Sequence, residues 1–272
     1  MKYRLPAAIA AFALVGTALV GCSNSTTPGT PASGASGSAA ADLNLVTPGT
    51  ITVCSDVPYA PFEYADPSVP LGYSGFDIDI ISAIASSMGL TVTVMPSDFD
   101  ALQSGVTLAA GTCDLGASAI TITPQRQANL DFSDPYYDSL QSLLVSANSG
   151  IKTLADTAGK NIGVQTGTTG ENYARANAPA TANIVSFTTD GDEWLAIQAG
   201  QVDALLQDLP VNQLHTDADS SYVIVEKYDT NEQYGFAFAK GKDPALLAAV
   251  NTGLATLRTN GTYDQLYAKY FS

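Results

Sequence analysis

The chain predicts an α/β protein of two lobes, and three observations carry that expectation. Short apolar runs alternate with helical patterns through most of the length. The alternation occurs as two series, each too short for one large sheet. The polar residues best suited to bind something fall where the apolar runs end. Alternating strands and helices imply mostly parallel sheets flanked by helices, and in such sheets ligands sit beyond the carboxyl ends of the strands.

In the first series, ITVC at 51–54 reads as a strand and 77–88 as a helix that Asp77 would cap. TVTVM at 91–95 is the next strand, 100–109 a helix and DLGA at 114–117 a third strand. The second series has strands at 161–164, 183–187, 204–207 and 222–225, with helices at 171–177, 192–199 and 209–216 between them. Residues 234–239 are extended again, and helices at 244–260 and 263–270 close the chain. The chain would leave the first lobe near 138–141 and return near 231–235, so two crossing segments would form a hinge. The expected division is 44–138 with 236–272 for the first lobe and 139–235 for the second.

The start of the chain reads differently. Lys2 and Arg4 precede an almost wholly apolar run at 5–20, which ends in Leu19-Val20-Gly21-Cys22. A cationic start, a short apolar core and small residues read as a secretory signal rather than a membrane span. Residues 23–41 are small or polar and carry no charge, which suits a flexible spacer. The formal net charge of −15 falls to −17 once Lys2 and Arg4 leave with the signal. A chain this acidic, without a basic stripe, repels nucleic acid.

Chemistry-bearing residues are few. His215 is the lone histidine and no Cys/His cluster exists, so neither a zinc site nor a catalytic dyad is expected, and no cofactor. Cys54 falls late in one strand and Cys113 just before another. If those strands are parallel neighbours, the two would sit at opposite ends, and two buried free thiols are expected. Asp77 and Asp79 read as a cap and a surface charge rather than a metal site, and Trp194 as packing. GTTG at 167–170 lacks the Gly-Lys-Ser/Thr ending of a phosphate loop.

The most informative stretch is 113–137. It offers backbone amides and small hydroxyls at Ser118, Ala119 and Thr121, then Arg126 five residues on. A planar guanidinium beside free N–H groups suits a small carboxylate, because its fork can pair both oxygens. The strand-end rule adds Asp56 and Tyr59, the 118–121 turn, the 167–170 turn and Asp208.

These pieces resemble the family 3 solute-binding proteins of bacterial polar amino-acid ABC importers, the type that includes glutamine-, histidine- and lysine/arginine/ornithine-binding proteins. The resemblance runs from about 47 to 271. It rests on SDVPYAPFEY (55–64), GYSGFDIDI (72–80), SDFDAL (97–102), SAITITPQR (118–126), DFSDPYY (131–137), GVQTGTTG (163–170), LLQDLPVN (205–212) and LRTNGTYDQLYAKYF (257–271), in that order. It implies the type II periplasmic-binding-protein fold, with no enzymatic activity.

By the same resemblance, Arg126 grips a ligand α-carboxylate, helped by Ser118, the Ala119 amide and Thr121. Thr169, beside Thr168 at a helix start, offers an N–H to that carboxylate. Asp208 takes the α-ammonium, and Tyr59 and Phe99 sandwich the aliphatic stem. Asp56 meets the distal end of the side chain. Glutamine-binding relatives carry a lysine where this chain has Gln165, which leaves Asp56 without a cation. A ligand that brings its own cation removes that cost, so arginine, lysine or ornithine is expected ahead of histidine and glutamine. Leu19 to Cys22 resembles a lipobox, which implies cleavage before Cys22 and a lipid there that tethers the mature chain outside the cytoplasm. A membrane permease with its ATPase is the expected partner of a monomeric binding protein. A dehydratase-like enzyme on the same scaffold is the alternative.

Overall fold

The computed structural model describes residues 43–272. The leader, Cys22 and the spacer lie outside these residues. The strands are β1 (Thr50–Ser55), β2 (Tyr64–Ala65), β3 (Tyr73–Ser74), β4 (Thr91–Pro96), β5 (Leu115–Gly116), β6 (Leu130–Phe132), β7 (Tyr137–Ser146), β8 (Asn161–Gln165), β9 (Asn183–Phe187), β10 (Ala204–Asp208), β11 (Tyr222–Tyr234) and β12 (Ala237–Ala239). The helices are α1 (Phe76–Ser87), α2 (Phe99–Gln103), α3 (Val106–Ala109), α4 (Pro124–Gln127), α5 (Thr169–Asn177), α6 (Asp190–Gln198), α7 (Leu209–Ala218), α8 (Pro244–Thr259) and α9 (Thr262–Phe271).

Two sheets organise these elements, with strand orders β4-β1-β5-β12-β6 and β11-β7-β10-β8-β9. Each is mixed rather than mostly parallel. In the first, β1 runs parallel to β4 and β5, while β12 is antiparallel to β5 and β6. In the second, β8 runs parallel to β9 and β10, while β7 is antiparallel to β10 and β11. The antiparallel pairs arise because β7 and β11, the long strands of the second sheet, also carry the chain to and from the first.

Each sheet buries an apolar cluster on both faces, which the period-two alternation of its strands requires. Ile51 and Val53 point into a cluster with Phe76, Ile80, Val250 and Leu254, drawn from α1 and α8. Cys54 points the other way, toward Phe99, Leu102, Leu108 and Leu130. In the second sheet Leu143, Val145, Val164 and Leu206 fill one face, and Leu144 and Leu205 the other. Truncating a fully buried ring such as Phe76 in a core of this kind costs about 3–5 kcal/mol.

Three expectations change. Cys54 and Cys113 are joined in a disulfide, with Cα atoms 5.8 Å apart. The expectation of free thiols placed Cys113 ahead of its strand at the opposite end from Cys54, as if the two strands ran level. Instead β5 is only two residues long and pairs with the end of β1, Leu115 beside Val53 and Gly116 beside Cys54, so Cys113 just ahead of it lies in the same apolar cluster as Cys54. The helix expected at 100–109 is broken into α2 and α3 by Gly105, whose φ of 87° is left-handed. Asp77 does not cap α1, where Gly75 holds the N-cap position without a side-chain bond. Asp77 is wholly buried and turned toward the 118–121 turn. Asp79 faces Lys269 at 2.7 Å, a partly exposed pair.

Candidate functional site

The carboxyl ends of the parallel strands of the two sheets face one another. Asp56 follows β1, the 118–121 turn follows β5, Gln165 ends β8 and Asp208 ends β10. Between them lies a small cavity lined by Tyr59, Phe99, Ala119, Thr121, Arg126, Gln165, Thr168, Thr169 and Asp208.

Local structure places each side chain. Thr123 caps the short α4, accepting the Arg126 N–H at 3.1 Å, with Pro124 opening the turn. The Arg126 guanidinium is then held by three acceptors: Gln103 Oε1 at 3.1 Å, the Thr121 carbonyl at 2.9 Å and the Gly167 carbonyl at 3.0 Å. Each Nη donates one N–H to a carbonyl and keeps a second. The guanidinium carbon also sits 5.3 Å from the centroid of the Phe99 ring. Gly167 has a φ of 80°, and a Cβ there would lie 2.6 Å from Asp100 Oδ1. Only glycine brings this carbonyl to the arginine without strain.

On the other wall, Thr168 caps α5 by accepting the Glu171 N–H at 3.0 Å, so the first turn of the helix, from Thr169, opens on the cavity. Asp208 holds the N-cap position of α7 but makes no cap. Its carboxylate instead accepts the Tyr59 hydroxyl at 2.7 Å and Gln141 Nε2 at 2.5 Å. Tyr59 is fixed by a tight loop in which its N–H donates to the Glu63 carbonyl at 2.7 Å. Gln165 Nε2 donates to Asp56 Oδ2 at 2.5 Å and to the Thr188 carbonyl at 2.9 Å. Arg126 to Gly167, Tyr59 to Asp208 and Asp56 to Gln165 all cross between the lobes, and the cleft is closed.

Two expected helpers face elsewhere. The Ala119 amide donates to Asp77 Oδ2 at 2.9 Å, so it is not open to a ligand, although the residue still lines the cavity. That bond, with the Tyr136 hydroxyl on the same oxygen at 2.6 Å, braces Ala119 in a left-handed backbone, φ 45°. Ser118 lies behind the wall. Its hydroxyl donates to Glu63 Oε1 and accepts the Asp56 N–H, at 2.5 and 2.9 Å. The Thr121 hydroxyl lines the cavity but donates to Glu232 Oε2 at 2.8 Å. Gln103, Gln141 and Glu232 are supporting residues that the sequence reading did not identify. No pattern in the sequence marks them, and the burial of Gln141 and Glu232 depends on the pairing of β7 and β11.

The charges are unbalanced. Burial pushes the Asp56 carboxyl up to about 7, against the bond from Gln165 and with Asp98 and Asp190 adding to the rise. Burial also raises Asp208 to about 6, with Glu232 the next contributor. Burial lowers Arg126 to about 10, opposed chiefly by Glu232 and Asp208. Beneath the site, burial holds Glu63 and Asp77 well above the carboxylate range, and Asp77 adds to the shift of Glu63. Among the described residues no group of His, Cys, Asp and Glu is placed to hold a metal, and no helix is long and apolar enough to cross a membrane.

Residues 51–272 match the model of the bacterial extracellular solute-binding proteins, family 3. A probable histidine-binding protein of Campylobacter jejuni is 31% identical over 272 residues, covering 99% of each chain. The L-arginine-binding protein of Pseudomonas aeruginosa is 32% identical over 79% of this chain and 85% of its own. An ancestral arginine-binding protein solved with arginine bound superposes with a TM-score of 0.76. It is 34% identical over 82% of this chain and 99% of the other.

Proposed function

The chain belongs to the bacterial extracellular solute-binding proteins, family 3, and from that premise we propose that it captures a free basic amino acid by cleft closure and delivers it to an ABC permease. The observation that carries this is a closed cavity with Arg126 on one wall and Asp208 on the other; Asp56 lies outside its lining and meets only the amide of Gln165, which does line it. The α-carboxylate would take the uncommitted Arg126 N–H groups and the first turn of α5. The α-ammonium would take Asp208. These two pairings balance, so the ligand's side chain faces the negative surplus. A guanidinium or ammonium there would neutralise Asp56, while a carboxylate would add repulsion in a dry site. Tyr59 and Phe99 would sandwich the stem. Lobes of 44–138 with 236–272, and 139–235, would close about β7 and β11.

The residues of the cavity act here as binding groups, with no catalytic role. In this reading a lipid on Cys22 and the spacer after it hold a monomeric binding protein near the permease.

Calorimetric titration tests the reading. Arginine, lysine or ornithine should bind tightly, with histidine and glutamine weaker; tight glutamate or glutamine binding with no response to arginine would overturn it. The pH dependence has a definite sign. Without ligand, Asp56 and Asp208 hold protons below about 7 and about 6, and a cationic ligand requires both ionised. Binding should therefore expel protons, and affinity should fall by up to about tenfold per pH unit per proton as pH drops from 8 toward 5. The ligand-free protein should move oppositely. A carboxyl raised from 3.8 to about 7, as Asp56 is, contributes stability at low pH that is lost as pH rises through about 7.

A further inference from the structure

Glu232, near the end of β11, is 6% exposed and is not part of the cavity wall. Its Oε2 accepts the hydroxyl protons of Thr121 at 2.8 Å and Thr169 at 2.6 Å. These threonines stand on opposite walls of the cleft, Thr121 after β5 and Thr169 at the start of α5. Its Oε1 accepts from Thr230 Oγ1 at 2.7 Å and from Gln141 Nε2 at 3.1 Å. Gln141 lies on β7, the other strand that crosses between the lobes, and its amide also reaches Asp208. One buried carboxylate thus ties both crossing strands to both walls.

We propose that Glu232 is a positioning residue of the cleft, a carboxylate latch that holds the two walls together and sets the hydrogen-bonding sense of Thr121 and Thr169. The proposal rests on the amino-acid-binding reading only for what the hydroxyls meet. A threonine hydroxyl has one proton. With both protons directed at Glu232, the two oxygens can offer only lone pairs to the cavity. They accept, so they suit the donors of a basic amino acid, its α-ammonium or its cationic side chain, and not its carboxylate. The ligand carboxylate is left to Arg126 and the α5 amides. The latch also operates before any ligand arrives. Hydrogen bonds to a charged acceptor are worth more than neutral ones, and the pair on Oε2 can form together only while Thr121 and Thr169 are close. A population already closed binds without the penalty of first closing.

The test uses the full chain without ligand and then with arginine as probe. Spin labels on exposed positions, one per lobe, report the interlobe distance distribution by electron–electron resonance. Glu232→Ala is expected to reduce the ligand-free closed-to-open ratio by about tenfold or more, with Glu232→Gln intermediate because its carbonyl can still accept. Thr169→Val leaves the carboxylate in place and should also open the cleft, which keeps the test decisive if Glu232→Ala does not fold. With arginine, Glu232→Ala should raise the dissociation rate. In the background of Thr121→Val with Thr169→Val it should then cost little more, since it acts through those hydroxyls. A ligand-free wild type with fully separated lobes, a distance distribution unmoved by Thr169→Val, or strictly additive losses would each overturn the latch. Absence of binding by any amino acid would sink the functional reading while leaving the distance result to decide the latch.

Discussion

Arg126→Ala is expected to weaken binding of the cognate amino acid by about thirtyfold to several thousandfold. Removing one partner from a buried, hydrogen-bonded charge pair costs about 2–5 kcal/mol, and every 1.4 kcal/mol is about tenfold. The arginine also organises both walls, through the Thr121 carbonyl on one side and the Gly167 carbonyl on the other. Arg126→Lys separates the two contributions. It keeps a cation near the ligand carboxylate but has a single nitrogen in place of the fork, so a loss smaller than that of alanine is expected. Folding should survive. The neighbouring Asp208 carboxyl, raised to about 6, can take up a proton when the cation is gone, which limits the repulsion. A ligand-free melting temperature within a few degrees of wild type, measured beside the calorimetry, checks this. Unfolding of the lysine variant would instead mean that Arg126 is a structural cation.

Asp208→Asn should produce the second largest loss, about 2–5 kcal/mol for the same reason, because asparagine has nearly the same shape but no charge to meet an ammonium. Its oxygen can still accept the Tyr59 hydroxyl, so the wall should hold. The effect should depend on the ligand's ammonium. Against a ligand lacking that group, wild type and Asp208→Asn should bind almost equally. Equal losses with and without the ammonium would assign Asp208 to closing the lobes through Tyr59 and Gln141 instead. The pH optimum gives a second check. The variant should lose the proton release tied to the carboxyl near 6, while the release tied to Asp56 remains.

Much of the fold and the candidate site was legible in the sequence. Strands such as β1, β4 and β9 are short β-branched runs bounded by turns, and their periodicity marks them. The strand-end rule brought Tyr59, the 167–170 turn and Asp208 to one place without any knowledge of the packing. What could not be read was set by partners distant in sequence. β7 hides in YDSLQSLLVS because its polar residues Ser139, Gln141 and Ser142 are buried against hydrogen-bonding partners. Ala119 and Ser118 looked open because Asp77 and Glu63, 42 and 55 residues away, engage them. The disulfide escaped because the brevity of β5 depends on its neighbours. Glu232 looked like one more surface acid in a hydrophilic segment. Only the pairing of β11 with β7 turns it inward.

In the proposed function one small molecule is held by both of its charged ends, each on a different wall. Calorimetric comparison of L-arginine with agmatine, which lacks the carboxylate, and with 5-guanidinopentanoate, which lacks the ammonium, tests it most directly. Each deletion is predicted to lower affinity by about a hundredfold or more, with Arg126→Ala insensitive to loss of the carboxylate and Asp208→Asn insensitive to loss of the ammonium. Agmatine or 5-guanidinopentanoate binding to the wild type as tightly as arginine would contradict it.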